Sequence, residues 1–364
     1  MKIFHIIDKL IGGGAETQLR LLVNNSTEDH SVIYHKRGGE ELVNETVDLH
    51  FINSSDKIGI IKELLRILDG QQIDLIQLWL PEYICLPAAI YGRVNKIKVI
   101  SCDRRAPSNT IGYLYFRDRL KVFQHLISSV VVPNFPIVKF GVISKFFLRF
   151  KDCHLIYNAV TSQRNTVNKF NSNEDDLTIV FIGRLVKQKR PEILLKLIPL
   201  LLDSVDKNKL KIIYFGVGEL EKSLNDKAKN LGVEDFVHFQ GFNNDWDLYL
   251  EKLNGNKLLV FPSINEGMPN VLFESAVAKL PFLAMDIPEI LIHFEEVRQN
   301  SLIHYKQSEN EQITEMYNKI VALYKDTDLT KESTNKNYSI AMGYSLESFL
   351  DNWHSLYNRV LNKI

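Results

Sequence analysis

Short apolar runs alternate with amphipathic helical segments along this chain. Successive strands of a parallel sheet need a crossover that is usually a helix, so this alternation is typical of βα units. The pattern therefore predicts an α/β fold built from doubly wound parallel sheets. The apolar runs lie at 2–7, 31–35, 73–79, 97–101, 128–132 and 153–157, and then at 177–182, 210–215, 236–240, 257–261 and 281–285.

The length of 364 residues indicates two domains, at roughly 150 residues per domain. A polar, Asn-rich stretch at 161–176 separates the two groups of strands and is typical of an exposed connection. We therefore predict one Rossmann-like domain at 1–165 and a second Rossmann-like domain at 166–335. In such folds a ligand cleft faces the carboxyl ends of both sheets.

The tail at 336–364 has apolar residues at steps of three and four, which predicts a helix with one apolar face. Two packing modes remain open for this helix. It can dock on the second domain, which precedes it, or cross back to the first. The face consists of Leu346, Phe349, Leu350, Trp353, Leu356, Tyr357 and Val360.

Composition excludes several classes of protein. The 44 Lys and Arg balance the 44 Asp and Glu, whereas nucleic-acid binders usually carry a basic excess. The three cysteines are too few for a disulfide framework or a four-cysteine zinc site, which favours a reducing cytoplasm. The ten histidines show no metal-ligand spacing, so we expect no metal and no other cofactor. No apolar run reaches the roughly 18 residues of a membrane span.

Two glycine-rich or basic turns follow strands. Gly13 and Gly14 stand between the first strand and a helix, where backbone amides can approach an anion, although a tight turn alone also needs glycine. Arg184 and Lys189 follow the strand at 177–182 and precede a helix that begins near Pro191. Cations at that place can hold phosphates, and the alternative is a solvated basic loop.

The segment 257–285 carries the most information about function. A buried strand ends near Ser263, Glu266 lies in the following loop, and Glu274 lies near the start of the next helix. Carboxylates suit sugar hydroxyls and helix amides suit a diphosphate, so this segment predicts a nucleotide-sugar site. Alternatively, Glu274 only complements the helix dipole and Glu266 is an ordinary loop residue.

Three motifs in order carry a resemblance to a known family. E-G-M-P-N-V-L-F-E (266–274), I-G-R-L-V-K-Q-K-R (182–190) and G-G-A-E (13–16) resemble the large retaining glycosyltransferase family of the GT-B fold, glycosyltransferase family 4. The resemblance implies that Arg184 and Lys189 neutralise the leaving diphosphate. It also implies that Glu274 binds the ribose hydroxyls and that Glu266 contacts the donor sugar.

Further roles follow from the same resemblance. Gly13 and Gly14 would close over the donor, and the strand around His238 would contact the base. The family needs no metal and retains the anomeric configuration, with the leaving phosphate assisting the attack. We expect a UDP-sugar as donor, and as acceptor a lipid-linked glycan of a bacterial surface polysaccharide such as O-antigen or capsule. The loop backbone would contact the sugar and the distal phosphate at Gly267, Met268, Pro269 and Asn270, with amide donors at each of these except Pro269, which has no N–H.

One departure from the family leaves alternatives open. Many relatives carry a histidine after the strand at 73–79, where this chain has Trp79, so no catalytic histidine can be assigned. A nucleotide-sugar epimerase of the same fold would release an altered sugar nucleotide without an acceptor. A catalytically silent glycan-binding subunit is the other alternative.

The acceptor side gives weaker signals. Arg104 and Arg105 follow a first-domain strand, where either could bind an acceptor diphosphate or form a structural ion pair. Lys145 and Arg149 lie one helical turn apart among phenylalanines, an arrangement that suits a peripheral contact with an anionic membrane surface as well as a packed core. The D-x-D form at 245–247 is interpreted as a helix cap.

Overall fold

The computed structural model of this chain describes residues 1–80, 82–104, 116–135, 152–160, 164–167 and 176–362. The chain divides into two compact units, Met1–Ala159 with Leu346–Ile364, and Val160–Ser345. These bounds differ from the predicted ones because residues 164–167 are bound by the second unit. The amide of Asn165 donates to Asp247 Oδ2 at 2.8 Å, and the amide of Val167 donates to the Ala278 carbonyl at 2.8 Å.

The first unit contains a seven-stranded sheet in the order β3-β2-β1-β4-β5-β6-β7, and all of its neighbouring strands are parallel. This order places β1 in the interior of the sheet, with the chain winding outward in both directions. The strands are β1 (Lys2–Ile6), β2 (Asp29–Tyr34), β3 (Asp48–Phe51), β4 (Leu75–Leu78), β5 (Lys98–Asp103), β6 (Val130–Pro133) and β7 (Asp152–Cys153).

Helices cover both faces of this sheet. Side chains alternate along a strand, so Ile3 of β1 enters one core, and Phe4 and Ile6 enter the other. Leu19 of the first helix packs in the core of Ile3, whereas Leu64 of the second packs in the core of Phe4. The helices of this part are α1 (Gly14–Asn25), α2 (Lys57–Asp69), α3 (Cys85–Val94) and α4 (Phe116–Ile127), with a short 3-10 turn at Glu40–Leu42.

The second unit contains a six-stranded parallel sheet in the order β10-β9-β8-β11-β12-β13. The predicted fold class, α/β with two doubly wound parallel sheets, is confirmed. The strands are β8 (Leu177–Ile182), β9 (Leu210–Phe215), β10 (Val237–Phe239), β11 (Asn256–Phe261), β12 (Phe282–Met285) and β13 (Leu302–Ile303).

Helices α5 to α12 belong to this second unit. Short 3-10 turns lie at Lys187–Lys189, Glu234–Phe236 and Glu295–Val297. The helices are α5 (Glu192–Leu201), α6 (Glu221–Asn230), α7 (Trp246–Glu251), α8 (Asn270–Val277), α9 (Pro288–Phe294), α10 (Arg298–Ser301), α11 (Glu309–Lys325) and α12 (Thr327–Met342).

The last helix, α13 (Leu346–Asn362), packs within the first unit. Its apolar face enters the core that contains Ile3, and Trp353 is fully buried there. The Tyr357 hydroxyl donates to Gln77 Oε1 of β4 at 2.5 Å. The helix is shorter than the predicted tail, because residues up to Met342 belong to α12 and a break precedes Leu346.

Two strands escaped the sequence analysis. Asp48–Phe51 forms the edge strand β3, where Leu49 and Phe51 are only partly buried, so its apolar pattern is short. The other, β13, is two residues long and lies at the edge of the second sheet.

Candidate functional site

Two adjacent strands of the second sheet end at the same edge. Strands β8 and β11 pair in parallel, and their carboxyl ends lead into the turn Lys187–Lys189 and the loop before α8. The Ile264 amide donates to the Gln188 carbonyl at 3.2 Å, and the Gln188 side chain donates to the Asn265 carbonyl. These bonds hold together the two segments that carry the predicted phosphate and sugar residues.

Lys189 and Glu266 form an ion pair at this edge. Lys189 Nζ lies 2.5 Å from Glu266 Oε1, which also accepts a hydrogen bond from the Ser263 hydroxyl. The ammonium also lies 4.8 Å from the centre of the Phe261 ring. The side chains are 14% and 9% exposed, so the pair is shielded from water. Both charges are therefore held in fixed positions where electrostatic interactions are stronger than at the surface.

Arg184 lies between the end of β8 and the turn Lys187–Lys189. Its side chain is exposed, and its guanidinium makes no hydrogen bond or ion pair with the described part of the chain. The glycine-rich segment after β9 supports its loop. A Cβ on Gly216, whose φ is +147°, would lie 1.9 Å from the Gly183 carbonyl oxygen, and one on Gly218 would lie 2.3 Å from that of Leu185. The two backbones can approach this closely only because both positions are glycine.

The loop of Gly267, Met268 and Pro269 leads directly into α8, which begins at Asn270. Met268 is buried and anchors the loop, and Pro269 occupies the N-cap position with an extended ψ of 90°. The amino terminus of a helix carries about half a positive charge. The predicted amide donors therefore lie where an anionic group is stabilised.

Glu274 is the fifth residue of α8 and lies at the start of its second turn. Its Oε2 accepts from Arg164 Nη2 at 3.1 Å, and Arg164 Nη1 donates to Asp247 Oδ1 at 3.1 Å. Glu266 and Glu274 thus have different cationic partners. Burial raises the pKa of the Glu274 carboxyl, an effect that Arg164 opposes and Asp247 increases.

The D-x-D segment does not act as the predicted helix cap. Asp245 holds the N-cap position of α7 but makes no side-chain capping bond. Asp247 instead accepts from Arg164 and Asn165. Burial raises the pKa of the Asp247 carboxyl. Hydrogen bonds from Asn165 and the charge of Arg164 outweigh this effect and hold that pKa below its usual value. Within the described residues, no group of three His, Cys, Asp or Glu side chains could hold a metal ion.

Arg164 and Asn165 were missed by the sequence analysis, which assigned them to the exposed connection. Their partner Asp247 lies 83 residues from Arg164, so no local spacing links them. The one available signal was the presence of a cation in the polar stretch that precedes the second sheet.

His238 occupies the middle of β10, at the edge of the second sheet, with an exposed side chain. In the first unit, Gly13 is extended at φ −161° and Gly14 begins α1. A Cβ on Gly13 would lie 2.6 Å from Glu16 Oε2, so the helix's own acid already lies against this turn. The proposed contacts of all three residues with a donor stay predictions.

Arg104 is buried in the first unit, immediately after β5. Its guanidinium carbon lies 5.2 Å from the Trp79 ring and 5.7 Å from the Trp353 ring, and Nη1 donates to Asn158 Oδ1 at 2.9 Å. Its Nε and Nη2 are buried and make no hydrogen bond to the described residues. Arg105 lies outside the described residues, as do Lys145 and Arg149 of the predicted membrane contact.

Trp79, near the place where the resemblance implies a histidine, is fully buried. Its Nε1 donates to His5 Nδ1 at 3.0 Å. The position is thus occupied by a core residue of the first unit. Among the helices of the described residues, none is long and apolar enough to cross a lipid bilayer.

Comparison with known proteins gives a family match over part of the chain. Residues 162–336 match the family described as glycosyl transferases group 1. Over 237 residues the chain is 28% identical to the N-acetylgalactosamine-N,N'-diacetylbacillosaminyl-diphospho-undecaprenol 4-alpha-N-acetylgalactosaminyltransferase of Campylobacter jejuni, an alignment that covers 62% of this chain and 60% of that protein. An uncharacterized glycosyltransferase of Haemophilus influenzae is 27% identical over 208 residues, 57% of this chain and 56% of that protein. The chain therefore matches a little over half of the length of these relatives.

Solved structures agree on the fold. The Anabaena HepE structure in complex with UDP and glucose superposes with a TM-score of 0.78 at 17% identity, covering 99% of this chain and 100% of that one. The structure of WaaG, a glycosyltransferase involved in lipopolysaccharide biosynthesis, gives 0.74 at 12% identity and covers 99% of this chain and 100% of that one. Likeness at these identities shows a shared fold, the two Rossmann-like units of the GT-B glycosyltransferases.

Proposed function

We propose, from the premise that residues 162–336 belong to the group 1 glycosyltransferases, that this chain transfers a sugar from a nucleoside-diphosphate sugar to a hydroxyl of a glycan acceptor. The observation that carries the proposal is the shielded pair of Lys189 and Glu266 at the carboxyl ends of β8 and β11. In this pair a cation lies next to a carboxylate, a group that suits sugar hydroxyls. Both residues belong to the part of the chain that matches the family.

In this reaction Lys189 and Arg184 stabilise the leaving diphosphate. Departure of a nucleoside diphosphate builds negative charge on its distal phosphate, and fixed cations stabilise that charge more in the transition state than in the ground state. Arg184 is exposed and has a planar fork of donors that suits a phosphate. Lys189 would share its charge between Glu266 and the phosphate.

Glu266 orients the donor sugar, and Glu274 accepts hydrogen bonds from the ribose. Glu266 is held by Lys189 and Ser263, which fixes its carboxylate before a donor binds. Under the leaving-phosphate mechanism Glu266 need not be a covalent nucleophile, and the anomeric configuration is retained. Arg184, Lys189, Glu266 and the amides of Gly267, Met268 and Asn270 then act on one donor. The roles of Gly13, Gly14 and His238 rest on the resemblance alone.

We infer a UDP-sugar as donor and a lipid-linked glycan as acceptor. A structure with the same fold is described in complex with UDP and glucose. The name of the Campylobacter relative specifies a diphospho-undecaprenol acceptor for that enzyme. Arg104, whose Nε and Nη2 make no hydrogen bond to the described residues, is our proposal for an acceptor contact together with Arg105. A surface polysaccharide such as O-antigen or capsule would be the product, made at the inner face of the membrane.

The first experiment measures binding by thermal shift with UDP, GDP, CDP and their sugars. A ligand that binds only the folded state raises the melting temperature by mass action, so the correct nucleotide is expected to stand out. Absence of any shift across the whole panel would contradict the donor site.

The second experiment measures release of nucleoside diphosphate with a lipid-linked acceptor mixture. Arg184→Ala and Glu266→Gln are each expected to lower kcat/KM by about 10²–10³. Lys336→Ala is the control, because it removes an exposed lysine whose one ion pair within the described residues is with Glu332 on α12. Conversion of the donor to an isomeric sugar nucleotide without acceptor would favour the epimerase. Donor binding without any turnover would favour the silent glycan-binding subunit.

A further inference from the structure

Arg164 bridges two carboxylates from different helices of the second unit. Its Nη1 lies 3.1 Å from Asp247 Oδ1 on α7, and its Nη2 lies 3.1 Å from Glu274 Oε2 on α8. The side chains of Arg164, Asp247 and Glu274 are 19%, 5% and 23% exposed. The bridge is therefore mostly shielded from water. Because the guanidinium is planar and rigid, donating one nitrogen to each acid fixes the orientation of both carboxylates.

Asp247 serves this bridge with both of its oxygens. Oδ1 accepts from Arg164, and Oδ2 accepts from the amide of Asn165 at 2.8 Å and from its side chain at 3.1 Å. The guanidinium carbon of Arg164 also lies 5.3 Å from the Trp246 ring. The D-x-D segment thus supports Arg164, and its central Trp adds a cation–π contact.

Glu274 is used differently, because only one of its oxygens is occupied. Oε2 accepts a hydrogen bond from Arg164 Nη2, whereas Oε1 makes no hydrogen bond to the described residues. The carboxyl is partly exposed, so Oε1 can accept from a ligand hydroxyl. Arg164 keeps the carboxylate from rotating and supplies a positive charge to this partly buried acid.

We propose that Arg164 is the positioning residue for ribose recognition, holding Glu274 by one oxygen so that the other accepts the ribose hydroxyls. The inference rests on the proposed function, since it assumes that Glu274 binds a nucleoside diphosphate. It follows that the preference for a ribose over a deoxyribose depends on Arg164, in the connecting segment, and on the D-x-D segment that binds Arg164.

The test compares UDP with 2′-deoxyuridine 5′-diphosphate by isothermal titration in the full chain. A hydrogen bond to a charged group is worth about a 10–100-fold change in affinity, so the wild type is expected to prefer UDP by at least about tenfold. In Arg164→Gln this ratio is expected to fall below about threefold, and Asp247→Asn is expected to lower it by a smaller factor. Arg164→Lys keeps the charge without the fork, and we expect an intermediate ratio.

Arg298→Gln is the matched control, since Arg298 also bridges two carboxylates of this unit, Asp286 at 2.8 Å and Glu295 at 3.9 Å. This variant is expected to keep the wild-type ratio. Melting temperatures of all variants separate loss of fold from loss of recognition.

The outcomes are distinct. If Arg164→Gln weakens UDP and its deoxy form equally, Arg164 has only a structural role and the inference is wrong. If the wild type binds UDP but does not discriminate against the deoxy form, Glu274 does not bind the ribose and the inference also fails, while the donor site stands. If the wild type binds neither UDP nor another nucleoside diphosphate, the proposed function itself fails.

Discussion

Two buried histidines make the first unit sensitive to acid. The Trp79 indole N–H can only donate, so His5 Nδ1 accepts at 3.0 Å and the His5 proton lies on Nε2. His5 Nε2 then donates to His30 Nδ1 at 2.8 Å, so both rings are neutral. Burial, with a further effect of His30, lowers the pKa of His5 well below its usual value, and burial lowers the pKa of His30 to about 4.

The sign of the pH effect follows from these shifts. Unfolded histidines take up a proton near pH 6.5, whereas the folded chain resists protonation until the pH approaches the lowered values. The contribution of these histidines to stability is therefore complete above about pH 7 and is lost as the pH falls. For His30 the loss between about pH 7 and pH 5 is about 2 kcal/mol, from a pKa of about 4 against an unfolded value of about 6.5. His5 adds a loss of the same sign.

Urea unfolding followed by tryptophan fluorescence measures this loss. In a Trp246→Phe background the two remaining tryptophans, Trp79 and Trp353, both report on the first unit. His30→Asn removes one titrating group, and its amide oxygen can still accept from His5 Nε2. The expected result is a pH-dependent loss of stability that is smaller by about 2 kcal/mol than in the parent.

The control is His238→Asn, which removes an exposed histidine of the second unit and is expected to leave the transition unchanged. If His30→Asn shows the same dependence on pH as the parent, the neutral histidine chain is not a source of acid sensitivity and the reasoning fails.

Three further changes test other features. Gly216→Ala is expected to lower the free energy of unfolding, measured by urea titration, by at least about 3 kcal/mol, because its Cβ would lie 1.9 Å from a backbone oxygen. Gly70→Ala is the control. A Cβ on Gly70 would meet nothing within 4 Å, and φ is −90°, so this change is expected to be neutral or slightly stabilising. Trp353→Ala should cost about 3–5 kcal/mol by calorimetry, because the ring is fully buried. Asp247→Asn should lower the free energy of unfolding by about 1–3 kcal/mol at neutral pH, because Arg164 then keeps only one of its two carboxylate partners. This difference from the parent should decrease at low pH, as Asp247 of the parent becomes protonated.

The fold was predictable because its signal is periodic and local. Strands such as β1 and β8 are apolar runs bounded by polar turns, and each is followed by a helix with one apolar face. Strands β3 and β13 gave no such signal, because they are only four and two residues long and β3 is only partly buried.

The candidate site was predictable where its residues follow strand ends. Lys189 and Glu266 follow β8 and β11, and parallel strands bring their carboxyl ends to one edge. The bridge of Arg164 was not predictable, because Asp247 and Glu274 lie 83 and 110 residues from Arg164 in the sequence. Such separations do not indicate which side chains are in contact in the folded chain. The ion pair between Lys189 and Glu266 likewise depends on side-chain packing, which their separation in the sequence does not indicate.

Trp79 shows how the departure from the family bears on the proposed chemistry. Its indole N–H is bound to the neutral His5, and its ring lies 6.0 Å from that of Trp353 and 5.2 Å from the Arg104 guanidinium. A residue so engaged in the core cannot act as a base, so under the proposed mechanism the leaving diphosphate oxygen takes the acceptor proton. We therefore expect Trp79→His to lower the melting temperature, by removing a fully buried indole, without raising kcat of donor turnover. A rise in kcat for this variant would show that the missing histidine limits the reaction, and would contradict a leaving-group base.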